Sequence, residues 1–318
     1  MTGQSSARIR PAASLLAALT AWLERPSAWI VLVGVSALLC GLIYFGLMRP
    51  VHPPRPRADA AARPRLDEAI AAVQVRLSAN PQDLSAMVEL GMLHYEKGPP
   101  SYLDAANALE DARRLGSLDP RIFYCLGTIY QELALYPFAL EEYQKHLRLR
   151  PEDAEVRMTV AKLYYLQGDF PAAVKEYERL RYHDADNPLV NENLGLSLWR
   201  AKLTERAVEV FEALRAAGGL PGRRAKFYLG QIALEAGRAA DAQKLIGESL
   251  PDDAEPDFGI AKDRMHAAMA LVWQKLGKPD EARESWGQVL KLVPGDAKAQ
   301  AALRDLNRRF PPKRTKKR

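Results

Sequence analysis

Two patterns of apolar residues divide the chain. From Ala28 to Met48, twenty-one residues pass without a charged side chain, AWIVLVGVSALLCGLIYFGLM. Beyond residue 66 the apolar positions instead recur at i, i+3, i+4 and i+7, as in helices buried on one face. At about 1.5 Å per helical residue the first run covers about 30 Å, the thickness of a bilayer core. Trp29 lies at one end and Tyr44 and Phe45 near the other, where amphipathic rings favour the headgroup level, and Arg49-Pro50 closes the run. A single transmembrane helix over 28–48 is therefore expected. The next segment, VHPPRPRADAAARPRL, reads as an extended linker with nothing to pack a buried helix against. No small-residue cleavage site follows the run, as a signal peptide would require. Upstream, Leu15, Leu16, Leu19, Trp22 and Leu23 recur at helical spacing over a length suited to lying in the interface. Within the run, Ser36 with Cys40 and Ala37 with Gly41 are small pairs that permit close approach of two such helices.

The second pattern repeats. Leu126-Gly127, Tyr130, Ala139, Tyr143 and Pro151 are followed thirty-four residues on by Val160-Ala161, Tyr164, Ala173 and Tyr177, and again by Leu194-Gly195, Leu198, Ala207 and Phe211. Irregular units flank these: Leu90-Gly91 with Gly98, Ala105 and Leu109; Leu229-Gly230 with Gly237, Ala242 and Ile246; and Met269-Ala270 with Trp273, Gly277, Ala282 and Trp286. The first carries two extra residues at Pro99-Pro100, and the fifth is lengthened around the acidic stretch PDDAEPDFG. Each unit reads as an apolar helix, a turn near its fifteenth position and a second apolar helix, so each is a helical hairpin. One hairpin cannot bury both of its faces, and stacking is required.

These residues resemble the tetratricopeptide repeat over about residues 66–309, in about six units. The resemblance implies an all-α, right-handed superhelical solenoid, here preceded by the transmembrane helix. Residues from Leu66 to Ala79 read as a second helix without its first, and Asp296 to Arg309 as a charged closing helix that shields the stack. The expected organisation is a tail at 1–27, a span at 28–48, a Pro/Arg linker at 49–65, the solenoid at 66–309 and a basic tail at 310–318.

Charge changes this picture more than bulk composition does. Nearly half of the 318 residues are apolar and a quarter charged, as in ordinary folded domains. The net charge of +6 is carried by the ends. Eight arginines against Glu24 and Asp59 lie in residues 1–65, and seven basic residues with no acid lie from Arg308 onward, leaving the middle at −7. Nucleic-acid binding is therefore not expected of the repeats, although the tail PPKRTKKR can meet anionic lipid. Cys40 and Cys125 are the two cysteines, which excludes a disulfide framework. More arginines follow the span than precede it, which predicts a cytoplasmic repeat domain, with a periplasmic one as the alternative. The Arg- and Ala-rich composition suggests a bacterial source.

Catalytic chemistry is not expected. There is no P-loop, dinucleotide fingerprint, H-E-x-x-H or G-x-S-x-G. His94, His146 and His266 fall at packing positions, and His183 with Asp184 and Asp186 falls in an inter-repeat turn. No cofactor and no metal are expected. The resemblance implies instead that the first helix of each unit lines a concave groove through its second, fifth, ninth and twelfth positions. There the chain holds Met92, Tyr95, Tyr124, Met158, Lys162, Tyr165, Trp199 and Phe227, with Arg121, Arg200 and Arg224 nearby. Such a stripe suits an amphipathic or extended partner segment carrying acidic residues; the same side chains can alternatively pack adjacent first helices together. The Lys and Asn positions with which some tetratricopeptide domains clamp chaperone C-termini hold Val88/Met92, Tyr124/Thr128 and Met158/Lys162, so that docking is not implied. The expected function is a membrane-tethered scaffold that binds a protein partner in its groove. The alternative is an envelope-side assembly factor or chaperone of the cytochrome c maturation, secretion or pilus type, or a protein associating with anionic lipid or nucleic acid through its basic ends.

Overall fold

The computed structural model describes Pro53, Pro56 and residues 63–250 and 259–311. The chain divides into units Met1–Arg55 and Pro56–Arg318, and every described helix belongs to the second. The expected span at 28–48 and the tail at 1–27 lie outside the described residues, as do most of the linker and basic tail. Among the described residues no helix is long and apolar enough to cross a membrane.

Fourteen α-helices and no strand occur among the described residues. Helix α1 (Arg63–Ala79) leads, beginning three residues before the expected boundary at 66. Six antiparallel hairpins follow: α2 (Leu84–Glu96) with α3 (Tyr102–Arg114), α4 (Pro120–Glu132) with α5 (Tyr136–Leu149), α6 (Ala154–Gln167) with α7 (Phe170–His183), α8 (Pro188–Arg200) with α9 (Thr204–Ala217), α10 (Gly219–Glu235) with α11 (Ala239–Ser249), and α12 (Lys262–Lys275) with α13 (Pro279–Leu292). Helix α14 (Ala297–Arg309) closes the stack. Each hairpin packs on the next, giving an all-α solenoid.

The repeat spacing has a steric cause. A Cβ added at Gly127 would stand 2.8 Å from the Tyr143 ring, one at Gly195 2.6 Å from Phe211, and one at Gly230 2.6 Å from Ile246. In each hairpin the bulky partner lies sixteen residues after the small one. At Gly91 the partner is Leu109, eighteen residues on and 2.5 Å from the added atom, because Pro99-Pro100 lengthens that turn. Ala161 with Tyr177 and Ala270 with Trp286 complete the series, and all four of those side chains are buried. Small residues on the first helix thus admit the large side chains of the second.

The turns repeat as closely. At the fifteenth position Gly98, Ala134, Gly168, Lys202, Gly237 and Gly277 all have left-handed φ, from 58° to 87°. In the last five, paired bonds close the first helix; Leu203 N–H, for example, donates to Leu198 O at 2.9 Å and Lys202 N–H to Trp199 O at 3.0 Å. The opposite ends are capped by side chains: Asp83, Asp119, Asp153 and Asn187 each accept from backbone N–H groups opening α2, α4, α6 and α8.

Polar residues pin some of the junctions between hairpins. His146 is fully buried, with Nδ1 2.9 Å from Pro120 O and Nε2 2.8 Å from the Asp153 carboxylate, so one ring ties α5 to the starts of α4 and α6. The packing role expected of His146 is therefore filled by a specific bridge. Between hairpins one and two Arg113 donates to Glu142 at 3.1 Å, and within hairpin three Arg157 donates to Glu176 at 2.7 Å.

Candidate partner-binding face

The eight residues expected to line a groove separate into two groups. Met92, Tyr95, Tyr124 and Phe227 are at most 8% exposed, so they are core residues and the expectation of an accessible groove at these positions is corrected. The reason lies in what each side chain meets. Tyr95 stacks on Tyr102 with ring centroids 5.9 Å apart, and Tyr124 packs against Tyr143 at 6.2 Å and His146 at 5.9 Å. Met92 Sδ lies 3.7 Å from Cys125 Sγ, and Phe227 packs edge-on to Tyr228. Burial drives the Tyr95 hydroxyl and Cys125 thiol well above their ordinary ranges, so both stay protonated. Thr128 and Gln131, at groove positions of hairpin two, are held 3.1 Å and 3.0 Å from the Tyr143 hydroxyl.

Met158, Lys162, Tyr165 and Trp199 remain on the surface, Lys162 exposed and the others half-buried. Tyr165 and Trp199 meet in a cavity of about 460 Å³ that also takes Phe170, Leu196, Arg200, Lys202, Tyr228, Gln231, Glu235 and Arg264. Its walls come from four successive first helices, α6, α8, α10 and α12, with Phe170 entering from the start of α7 and Lys202 from a turn. Met158 lies apart, in a cavity of about 470 Å³ at the helix ends between hairpins three and four, together with Leu180, Val190, His183 and Asp184. Lys162 lines neither cavity.

The larger part of this lining is fixed in place by neighbours. Trp199 Nε1 donates to Glu235 at 3.0 Å, which sets the indole plane. The Arg200 guanidinium lies 5.1 Å over the Phe170 ring, and Tyr165 meets Phe170 edge-on at 5.3 Å. Behind them, Glu192 is buried on α8 and takes a fork from Arg224 on α10 at 2.6 and 2.9 Å, while the Tyr228 hydroxyl donates to it at 3.0 Å. Burial and the Glu192 carboxylate raise the Tyr228 hydroxyl, keeping it a donor. Arg224 is thus engaged within the protein, and Arg121 is likewise bound to Asp119, at 2.6 Å.

The sequence pointed to Tyr165, Trp199 and Arg200 but missed most of the remaining walls. On α10 the lining residues are Tyr228, Gln231 and Glu235, with Tyr228 one position on from the expected Phe227. The adjacent aromatics Phe227 and Tyr228 are both buried, and Tyr228 is the one that also reaches the cavity wall. Among the described residues no group of three His, Cys, Asp or Glu side chains could hold a metal ion.

Comparison with known proteins agrees with this architecture. The family model described as Tetratricopeptide repeat matches residues 124–188, 159–221 and 192–256, a span from within α4 past the end of α11. The chain therefore contains tetratricopeptide repeats. BBSome complex member BBS4 of Xenopus tropicalis is 26% identical over 133 residues, which are 42% of this chain and 25% of that protein. The chain spans less than a third of the length of the curated relatives it matches. The C-terminal part of a repeat-containing protein from Cytophaga hutchinsonii superposes with a TM-score of 0.55 at 16% identity, covering 75% of this chain and 95% of that one. PilW, a type IV pilus biogenesis factor, does so with a TM-score of 0.50 at 17% identity, covering 69% and 98%. These likenesses establish the fold.

Proposed function

We propose that this chain is a membrane-tethered protein-interaction scaffold without catalytic activity, holding a segment of a partner protein against the first-helix face of hairpins three to six. The observation that carries the reading is the cavity lined by Tyr165, Leu196, Trp199 and Tyr228 from three consecutive first helices. A preformed cavity with aromatic walls and oriented polar groups is suited to binding without rearrangement. The uncharged run 28–48 supplies the tether and the linker after it the reach. The arginine distribution supports a cytoplasmic repeat domain. The opposite orientation would make the chain an envelope-side assembly factor, a role for which PilW offers a fold counterpart.

A photo-crosslinking amino acid placed at Tyr165 or Leu196 in the full chain tests the face. The same group at Tyr182, 87% exposed on the second helix of hairpin three, is the control. Adducts from the first two positions and none from Tyr182 are expected. Equal labelling from all three would remove the assignment. C-terminal fusions to reporters active only inside or only outside the cytoplasm decide orientation, and activity of the outside reporter would favour the assembly-factor reading.

A further inference from the structure

Positive charge gathers in the cavity and is answered there only in part, by Glu235. Arg200, Lys202 and Arg264 contribute to its walls, and all three are exposed. Arg200 lies over Phe170, and among the described residues none of the three forms an ion pair. Of the nearby carboxylates, Glu192 is engaged by Arg224 and Tyr228, whereas Glu235 accepts only from the neutral Trp199 N–H, keeps its charge and offsets one of the three cations, so the lining retains a positive excess. Many arginines of the array are placed differently: Arg113, Arg157, Arg179 and Arg206 each contact a glutamate. Lys202 adds a second observation. It occupies the left-handed turn position at which four of the six hairpins carry glycine, and it holds φ at 66° while its side chain forms part of the cavity wall.

Resting on the reading of this face as the partner site, we propose that the bound segment is acidic. One apolar side chain seats between Tyr165 and Trp199, and carboxylates on either side of it reach Arg200 and Lys202 on one flank and Arg264 on the other. Aromatic walls exclude water around the anchor, and the lower local dielectric strengthens the flanking charge pairs. The charge is local, since the repeat region between the basic ends is net acidic. A long polyanion such as RNA would be repelled along the rest of the array, whereas a short segment need engage the cavity alone.

The test is selection of displayed random short peptides on the purified full chain, followed by fluorescence anisotropy with the enriched sequences. The same peptides are measured on Trp199→Ala, on Tyr165→Ala and on the triple variant Arg200→Glu, Lys202→Glu, Arg264→Glu. Unchanged helical circular dichroism establishes that each variant is folded. The expected result is enrichment of acidic peptides with an apolar residue, binding that falls about tenfold or more in the triple variant, and loss in Trp199→Ala. Peptides that need Trp199 yet are neutral or basic and ignore charge reversal would overturn the acidic assignment and leave the face intact. Peptides that bind both aromatic variants as well as the native chain would overturn the face itself. Failure to enrich any peptide, or binding of an oligouridylate probe at Arg200, Lys202 and Arg264 in place of peptides, would also overturn the proposal.

Discussion

Hairpins one and two and hairpins three and four carry the same kind of side chain at the same positions, but the exposed surfaces differ. Tyr95 and Trp199 both stand at the twelfth position of a first helix, yet Tyr95 is fully buried while Trp199 is half-buried in the wall of a cavity. The difference comes from the second helices. In hairpin one Tyr102 offers a ring for Tyr95 to stack on, and in hairpin two Tyr143 and His146 receive Tyr124. Trp199 instead finds its polar partner, Glu235, on the first helix of the next hairpin. The first-helix face is thus filled by its own aromatics in hairpins one and two and left partly open at Tyr165 and Trp199 in hairpins three and four.

The largest expected effects break this contrast directly. Tyr124→Ala and Tyr95→Ala each remove a ring from a site at most 2% exposed, which costs about 3–5 kcal/mol. Trp199→Ala removes a half-buried ring and should cost about 1 kcal/mol or less in stability while abolishing partner capture. Chemical denaturation followed by circular dichroism gives the midpoints; because unfolding of a repeat array need not be two-state, midpoint shifts are the safer comparison. A Trp199 variant that unfolds as readily as the Tyr124 variant would place Trp199 in the core and erase the distinction.

Next in size is the ionic support behind the cavity. Arg224→Ala leaves Glu192 buried without its fork and should cost about 3 kcal/mol. The double variant Arg224→Met, Glu192→Met should recover much of that loss, because no uncompensated charge remains. No recovery would mean that the pair acts through geometry at Tyr228, whose hydroxyl donates to the same carboxylate at 3.0 Å.

How much of this was readable beforehand follows from the scale of each interaction. The close contacts of Gly127 with Tyr143 and Gly195 with Phe211 lie within one hairpin, so a fixed spacing and a steric rule suffice to find them. The closing helix was expected from Asp296, and the structure has Asp296 as its cap, accepting from Ala299 N–H. Groove exposure is not a local property. Tyr95, Tyr124 and Phe227 have the right type at the right position, but burial depends on partners contributed from other elements and on a rotation of one residue along α10. Lys202 and Arg264 were missed because they reach the cavity from a turn and from a neighbouring hairpin. Their convergence exists only once the hairpins are stacked.

A smaller effect sharpens the comparison at the turns. Ala134 and Lys202 hold φ of 58° and 66° at equivalent positions, one in each half. Glycine removes the steric cost of a left-handed residue, so Ala134→Gly and Lys202→Gly should each gain about 1 kcal/mol by chemical denaturation. The first should leave binding of acidic peptides unchanged, and the second should weaken it. Equal binding by both would show that the Lys202 ammonium has no part in recognition.

The smallest expected effect is on pH dependence, and it too has one member in each half. Burial lowers the ionisation of His94, on α2, below the ordinary histidine value of 6.5, outweighing the Asp104 carboxylate that opposes it; burial followed by the charge of Lys262 does the same to His266, on α12. At neutral pH and above, neutral histidine predominates in the folded and unfolded chain alike, and these two groups contribute nothing to the slope. As pH falls through the unfolded value, the unfolded chain takes up protons that the folded chain still refuses, so stability declines until the folded value is passed. Glu96, beside His94 in sequence, has the opposite sign: burial raises its carboxyl, so the folded chain binds the extra proton at lower pH and recovers stability there. His94→Gln and His266→Gln should each flatten the decline just below pH 6.5 in denaturation midpoints, with part of the dependence surviving in each single variant and less in the double. A decline undiminished in the double variant would assign the titration to other groups and leave the two halves indistinguishable by proton uptake.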